Sequence, residues 1–97
     1  METLNFEYEA KRPLTRRAHV GVVGSGDLEV LIEPSNSPTT QVRVRTSVDG
    51  YARVWKAVLD RFFARFERAA KVEINDFGAT PGTVRLRLEQ AAEEVRS

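Results

Sequence analysis

The hydrophobic period of this chain changes at Asp49. Before it, apolar residues recur at every second position; after it, they recur at the helical spacing of about 3.6. A chain written in both periods must bury one-sided strands against amphipathic helices, which restricts it to a layered arrangement of sheet and helix.

The strand half reads in segments. Leu4, Phe6 and Tyr8 alternate with Asn5, Glu7 and Glu9, which predicts a strand over 3–9. KRPLTRR, residues 11–17, carries Pro13 and the basic residues Lys11, Arg12, Arg16 and Arg17 without periodicity. It reads as an exposed connection, with contact to an anion or a partner as the alternative. Residues 18–23 and 28–33 are rich in Val, Ile and Leu and are separated by Gly24, Ser25, Gly26 and Asp27, a hairpin pattern. After the polar loop PSNSPTTQ, Val42, Val44 and Thr46 alternate with Arg43 and Arg45, which predicts a third, hairpin-connected strand over 41–47. In such a meander Glu29 and Glu33 face Arg43 and Arg45, and opposite charges across strands contribute roughly 0.2–1 kcal/mol per pair. Sheet pairing is therefore preferred to phosphate binding for these arginines.

The helical half begins after Asp49. Val54, Val58, Phe62 and Phe66 form one row and Trp55, Leu59 and Phe63 the next, which predicts a helix over 50–70 capped by Asp49 or Ser47. The bunched aromatics read as core rather than as a base-stacking platform. KVEIND, with Val72 and Ile74 alternating with Glu73 and Asn75, reads as a fourth main strand, and DFGATPG as a glycine-broken connection. Thr80 as cap, Pro81 at the first helical position and Val84, Leu88, Ala91 and Val95 at helical spacing predict a final helix over 81–95. The expected fold is α+β: a mostly antiparallel sheet of about four to five strands, two amphipathic helices on one face, and the other face wet or meeting a partner. Residues 1–97 are expected to form a single domain.

Charge and composition exclude several functions. Fifteen Lys and Arg against fourteen Asp and Glu leave a net charge of +1, so no bulk field gathers nucleic acid or an anionic membrane. No apolar run approaches the roughly eighteen residues of a membrane span, and the acidic start does not resemble a signal peptide, so a cytoplasmic protein is expected. The chain has no cysteine and a single histidine, His19. Disulfides, thiolate metal sites and a protein thiol nucleophile are thereby excluded, no metal site is expected, and any sulfur chemistry needs a cofactor to bring the sulfur.

The short motifs are mostly structural. DFG at 76–78 matches the metal-holding tripeptide of protein kinases, but the chain lacks their other motifs and most of their length. Asp76 and Gly78 read as shaping the turn into the last helix, with Phe77 as a packed anchor. His19 has no second ligand or triad partner and reads as structural. Asp27, Glu29 and Glu33 imply no cleft and no catalytic carboxylate pair. GSGD at 24–27 is neither the G-x-S-x-G nucleophile elbow nor a phosphate loop. Ser25 is either a plain turn residue or a hydroxyl displayed where glycine neighbours let a second protein's active site approach.

VGVVGSGDLEVLIEP, TSVDG and NDFGATPGTVRLRLEQAAEE together resemble, in order and spacing, the δ subunit of malonate decarboxylase, the acyl carrier protein of that complex. The acyl carrier subunit of citrate lyase is a more distant likeness. The resemblance implies a non-catalytic carrier, a phosphoprotein in which a serine, here Ser25, is joined through a phosphodiester to 2'-(5''-phosphoribosyl)-3'-dephospho-CoA. The terminal thiol of that group would hold acetyl and malonyl as thioesters while malonate is converted to acetate and carbon dioxide. Implied partners are an acyl-transferase subunit, the decarboxylase subunits, a prosthetic-group transferase and a malonyl-transferase loading enzyme, with no nucleic acid and no membrane. Gly24 and Gly26 would let the modifying transferase close on Ser25, and Asp27 would either shape the loop by accepting a backbone hydrogen bond or be read by that enzyme. The chain departs from helix-bundle carriers, whose modified serine sits in a D-S-L motif, since the residue before Ser25 is glycine. The competing reading is a small nucleic-acid-binding or protein-binding α+β module using Lys11, Arg12, Arg16 and Arg17. The docking surface is left open between the basic 11–17 stretch and the wet face of the sheet.

Overall fold

A computed structural model describes residues 1–96. Six strands and two helices follow one another as β1 (Glu2–Glu9), β2 (Arg12–Pro13), β3 (Ala18–Gly21), β4 (Leu28–Pro34), β5 (Thr39–Thr46), α1 (Ala52–Phe63), β6 (Arg68–Asp76) and α2 (Pro81–Val95). The strand order is β1-β5-β6-β4-β3, with the two-residue β2 paired in parallel to the start of β6. Pairing is antiparallel except at β2–β6 and β5–β6, so the class is the expected α+β with a mostly antiparallel sheet.

The long strands alternate as written. Val42 and Val44 on β5, Val72 and Ile74 on β6, and Leu28, Val30 and Ile32 on β4 are buried on one face, where both helices lie. From α1 the buried side chains are Trp55, Leu59, Phe62 and Phe63; from α2 they are Val84, Leu88, Ala91 and Val95. The aromatic cluster is core, as expected: Tyr8 stacks on Phe63 with ring centroids 4.7 Å apart, and Phe62 on Phe66 at 5.3 Å. The Tyr8 hydroxyl donates to Asp60 Oδ1 at 2.7 Å, tying edge strand β1 to α1. Burial and this bond push the phenol far above its ordinary range.

Three expectations need correction. The sheet is not a simple meander. β6 lies between β4 and β5, so Arg43 meets Glu73 at 3.6 Å rather than a glutamate of β4. Glu29 instead pairs with His19 and accepts from Asn75, each at 2.8 Å. The first helix is shorter than its apolar spacing suggests. It ends at Phe63, but the following residues keep helix-like bonds, with Ala64 N–H donating to Asp60 and Phe66 N–H to Phe62, so Phe66 stays on the apolar face. That frees Arg68–Ala70 to start β6. The cap of α1 is also not as expected: Tyr51 occupies that position with no side-chain bond, and the Ser47 N–H donates to the Asp76 carbonyl.

The final helix matches its expected bounds, and the Thr80 hydroxyl accepts from the Thr83 N–H at 3.2 Å as the cap.

Gly21 closes β3 with φ +85°, and a Cβ there would stand 2.0 Å from the Leu28 carbonyl oxygen; Gly26, φ +77°, has nothing within 4 Å. Gly21→Ala adds a backbone clash to left-handed strain and should lower the unfolding free energy by roughly 2–4 kcal/mol, against about 1 kcal/mol for Gly26→Ala. Urea unfolding of the two variants checks the order; equal losses would contradict it.

Candidate functional site

The loop between β3 and β4 is polar at its tip and too short to bury its own backbone, so its amide and carbonyl groups must find partners elsewhere. Within the loop, Asp27 N–H donates to the Gly24 carbonyl at 3.1 Å. With Ser25 at the second position and positive φ at Gly26 in the third, Gly24–Asp27 forms a type II turn. The Gly26 N–H donates to the Phe77 carbonyl at 2.7 Å, and the Phe77 N–H donates to the Asp27 carbonyl at 2.9 Å. GSGD is therefore clasped by the backbone of the DFG segment. Phe77 is half-buried and lies outside the hydrophobic core, so it serves through its main chain and not as the packed anchor expected of it.

Asp27 is the hub of this loop. Its Oδ1 accepts from the Leu28 N–H at 2.7 Å and from Arg87 Nε at 3.1 Å, and its Oδ2 accepts from Arg87 Nη2 at 2.6 Å. The fork of the guanidinium matches the carboxylate, the strong form of this pair. Arg87 Nη1 also donates to Gln90 Oε1 at 3.0 Å, which fixes the guanidinium from its far side. The Arg87 bond, then the Leu28 amide, hold the Asp27 carboxyl below the usual carboxylate range, and Asp27 raises the Arg87 guanidinium in return.

A second carboxylate organises the neighbouring turn. Asp76, at the end of β6, is buried; its Oδ2 accepts from the Thr46 hydroxyl at 2.8 Å and its Oδ1 from the Ala79 N–H at 3.0 Å. The Thr46 hydroxyl oxygen in turn accepts from the Val48 N–H at 3.1 Å. GSGDLEV, TSVDG and DFGATPG thus meet at one end of the sheet, joined by Asp27 and Asp76.

These bonds surround Ser25 without using it. Ser25 and Gly26 are exposed, Gly24 is half-buried, and among the described residues the Ser25 hydroxyl has no hydrogen-bond partner. Val22 and Val23, just before the turn, are 58% and 62% exposed. The arrangement can present one free primary hydroxyl on a fixed backbone. His19, Glu29 and Asn75 form a separate network on the open face of the sheet, and Glu33 lies exposed at the end of β4.

The family profile of the malonate decarboxylase delta subunit, an acyl carrier protein, matches residues 15–95. The chain belongs to this family. The malonate decarboxylase acyl carrier protein of Azotobacter vinelandii is 57% identical over 96 residues, covering 98% of this chain and 97% of that protein. That of Pseudomonas syringae pv. syringae is 53% identical over the same shares. The chain also superimposes, with a TM-score of 0.93 and 52% identity, on a chain in the crystal structure of a Pseudomonas malonate decarboxylase hetero-tetramer in complex with malonate, covering 99% of this chain and 100% of that one. This acyl carrier family is a carrier rather than a catalytic subunit, and a carrier role implies a covalently attached prosthetic group.

One residue of this candidate site escaped sequence reading. Arg87 sits beside the apolar stripe of α2, and its partner Asp27 is 60 residues away in the chain. The only sequence signal was its place within the segment that carries the family resemblance.

The depressed Asp27 carboxyl gives the pair a pH signature. A carboxylate whose folded pKa lies below its unfolded value near 3.9 contributes stability above that value and loses it as pH falls through the folded pKa. Asp27→Asn should therefore be less stable than wild type at neutral pH, with the gap closing as pH drops below about 4. Urea midpoints measured across pH check this; a gap constant down to about pH 2 would contradict it.

Proposed function

We propose that Ser25 is the attachment point of the prosthetic group, and that this domain, residues 1–97, works in the cytoplasm as the acyl carrier of malonate decarboxylase. The observation that carries the reading is the exposed, unpartnered Ser25 hydroxyl on a turn held by backbone bonds to Phe77 and by the Asp27–Arg87 pair. A structural turn serine has no need of so much support, and its hydroxyl is commonly spent on a local backbone bond.

The residues fit a bulky covalent group. A Cβ at Gly26 would meet nothing within 4 Å, and Gly24 would meet only the Val22 side chain at 3.8 Å, so a transferase can close around the turn from solvent. The group we assign is 2'-(5''-phosphoribosyl)-3'-dephospho-CoA, joined through a phosphodiester at Ser25 Oγ. When bound, it supplies the thiol that a chain without cysteine does not have, and so a place to hold acetyl and malonyl as thioesters.

The chain's own contribution is positional. The type II turn leaves Ser25 Oγ exposed, where a base of the prosthetic-group transferase can take its proton as the ester bond to phosphorus forms and the phosphoanhydride bond of an activated donor breaks, releasing pyrophosphate. Asp27 is turned inward by Arg87, so it shapes the loop and does not compete as a nucleophile. A fixed tether then lets the acyl-transferase subunit, the decarboxylase subunits and a malonyl-transferase loading enzyme act in turn on one acyl group at high effective concentration. Stabilisation of the charge left by decarboxylation falls to the partner enzymes.

Intact-mass measurement of protein made together with its modifying enzymes tests the assignment. Wild type should carry an added mass matching the group. Ser25→Ala should carry none while keeping its circular dichroism spectrum. Modified Ser25→Ala, or unmodified wild type under these conditions, would overturn the proposal.

A further inference from the structure

The two faces of the molecule treat charge differently. On the open face of the sheet, basic and acidic residues are interleaved, as in Arg43 beside Glu73 at 3.6 Å and His19 bonded to Glu29 at 2.8 Å. On the helical side a groove of about 830 Å³ runs between the end of α1, the turn into β6 and α2. Arg12, Arg61, Arg65, Arg68, Arg85 and Arg96 line it, against only Glu67 and Glu89, and no lysine does. Glu67 is already engaged by Lys11 at 3.2 Å. Among the described residues, Arg12, Arg61, Arg65 and Arg85 have no ion-pair partner. In a chain of net charge +1, this is a segregated positive surface.

The shape of the groove selects among anions. It is lined by Pro81 and Gly82 at one end of α2 and by Val95 and Arg96 at the other, a length of roughly 20 Å. Its arginines are spread along that length, whereas a site for a small anion needs donors converging on one point. Its floor is apolar, with half-buried Val58 and Ala92 beside Phe62 and Phe66. The two phenylalanines are each only 8% exposed, too covered to stack bases. An apolar floor with an arginine rim matches an amphipathic acidic polypeptide, whose carboxylates would take the bidentate geometry that arginine favours.

We propose that this groove is the docking surface for an acidic, amphipathic segment of another malonate decarboxylase subunit, a proposal that rests on the carrier reading above. The basic 11–17 stretch then contributes through Arg12 alone, and the open face of the sheet is not the docking surface.

Binding of the carrier to the purified remaining subunits of the complex, followed by biolayer interferometry at low and high salt, tests this. Arg65→Glu combined with Arg85→Glu reverses one exposed charge on each wall of the groove. It should weaken binding at least about tenfold and flatten the salt dependence. Arg16→Glu with Arg17→Glu, outside the groove, should bind as wild type. Arg65→Ala with Arg85→Ala provides a milder pair, expected between the two, and circular dichroism confirms the fold of each. Unchanged affinity in both groove variants, or an equal loss in the Arg16 and Arg17 variant, would overturn the proposal. So would a groove variant that loses a single-stranded RNA oligonucleotide while keeping its affinity for the subunits. A wild-type carrier that gains its group at Ser25 but docks independently of the groove sinks this inference alone; failure to gain the group sinks the carrier reading.

Discussion

The parallel pairing of β5 with β6 governs the functional end of the molecule. It drives β6 into the middle of the sheet, between β5 and β4, and so carries Asp76, Phe77 and Gly78 beside the β3–β4 loop. Had β5 simply followed β4 in a meander, Phe77 would have had no route to Gly26 and Asp27. The loop's backbone groups would then have been left to water. As built, Gly26 and Asp27 exchange hydrogen bonds with Phe77, while Asp76 collects Thr46 and Ala79 from the two adjoining segments. A single crossover therefore positions both the turn and the start of α2.

The two carboxylates divide the work according to burial. Asp76 is enclosed and satisfied by neutral hydroxyl and amide donors, so it fixes the local chain path. Asp27 is partly exposed and answered by a guanidinium, which ties a loop to a helix distant in sequence. Around them Ser25 is the residue with nothing to do structurally. A fold that satisfies the main chain on both sides of a serine while leaving its side chain free is suited to hand that side chain to another enzyme. On a larger scale the open face interleaves acids and bases, as Arg43 with Glu73, whereas arginines outnumber glutamates in the groove between α1 and α2.

What could be read from the sequence was what depends on neighbours in the chain. The alternation of Leu4, Phe6 and Tyr8, the hairpin around Gly24–Asp27, and the Thr80 cap with Pro81 are local signals, and each is present in the fold. The apolar spacing through Phe66 overran the end of α1 because the turn after Phe63 keeps helix-like bonds, so period alone could not mark the stop. The place of β6 was hidden for a different reason. Glu29 and Glu33 match Arg43 and Arg45 in a meander as well as Glu73 matches Arg43 in the true sheet, so charge pattern does not choose between the registers. At the site, the exposure of Ser25 was legible from its glycine neighbours, while the Arg87 clamp was not. A helix arginine bordering an apolar stripe carries no mark of which of fourteen acids it will meet.

The turn is rigid in its backbone and free at its serine. Amide hydrogen exchange of the unmodified protein, resolved by residue with NMR, tests it most directly. The Gly26 and Phe77 amides, which bond across the two segments, should exchange at least about tenfold more slowly than the Ser25 amide next to Gly26 in the loop. Exchange of all three at one unprotected rate would mean that the clasp does not exist in solution, and that Ser25 rides on a loose loop.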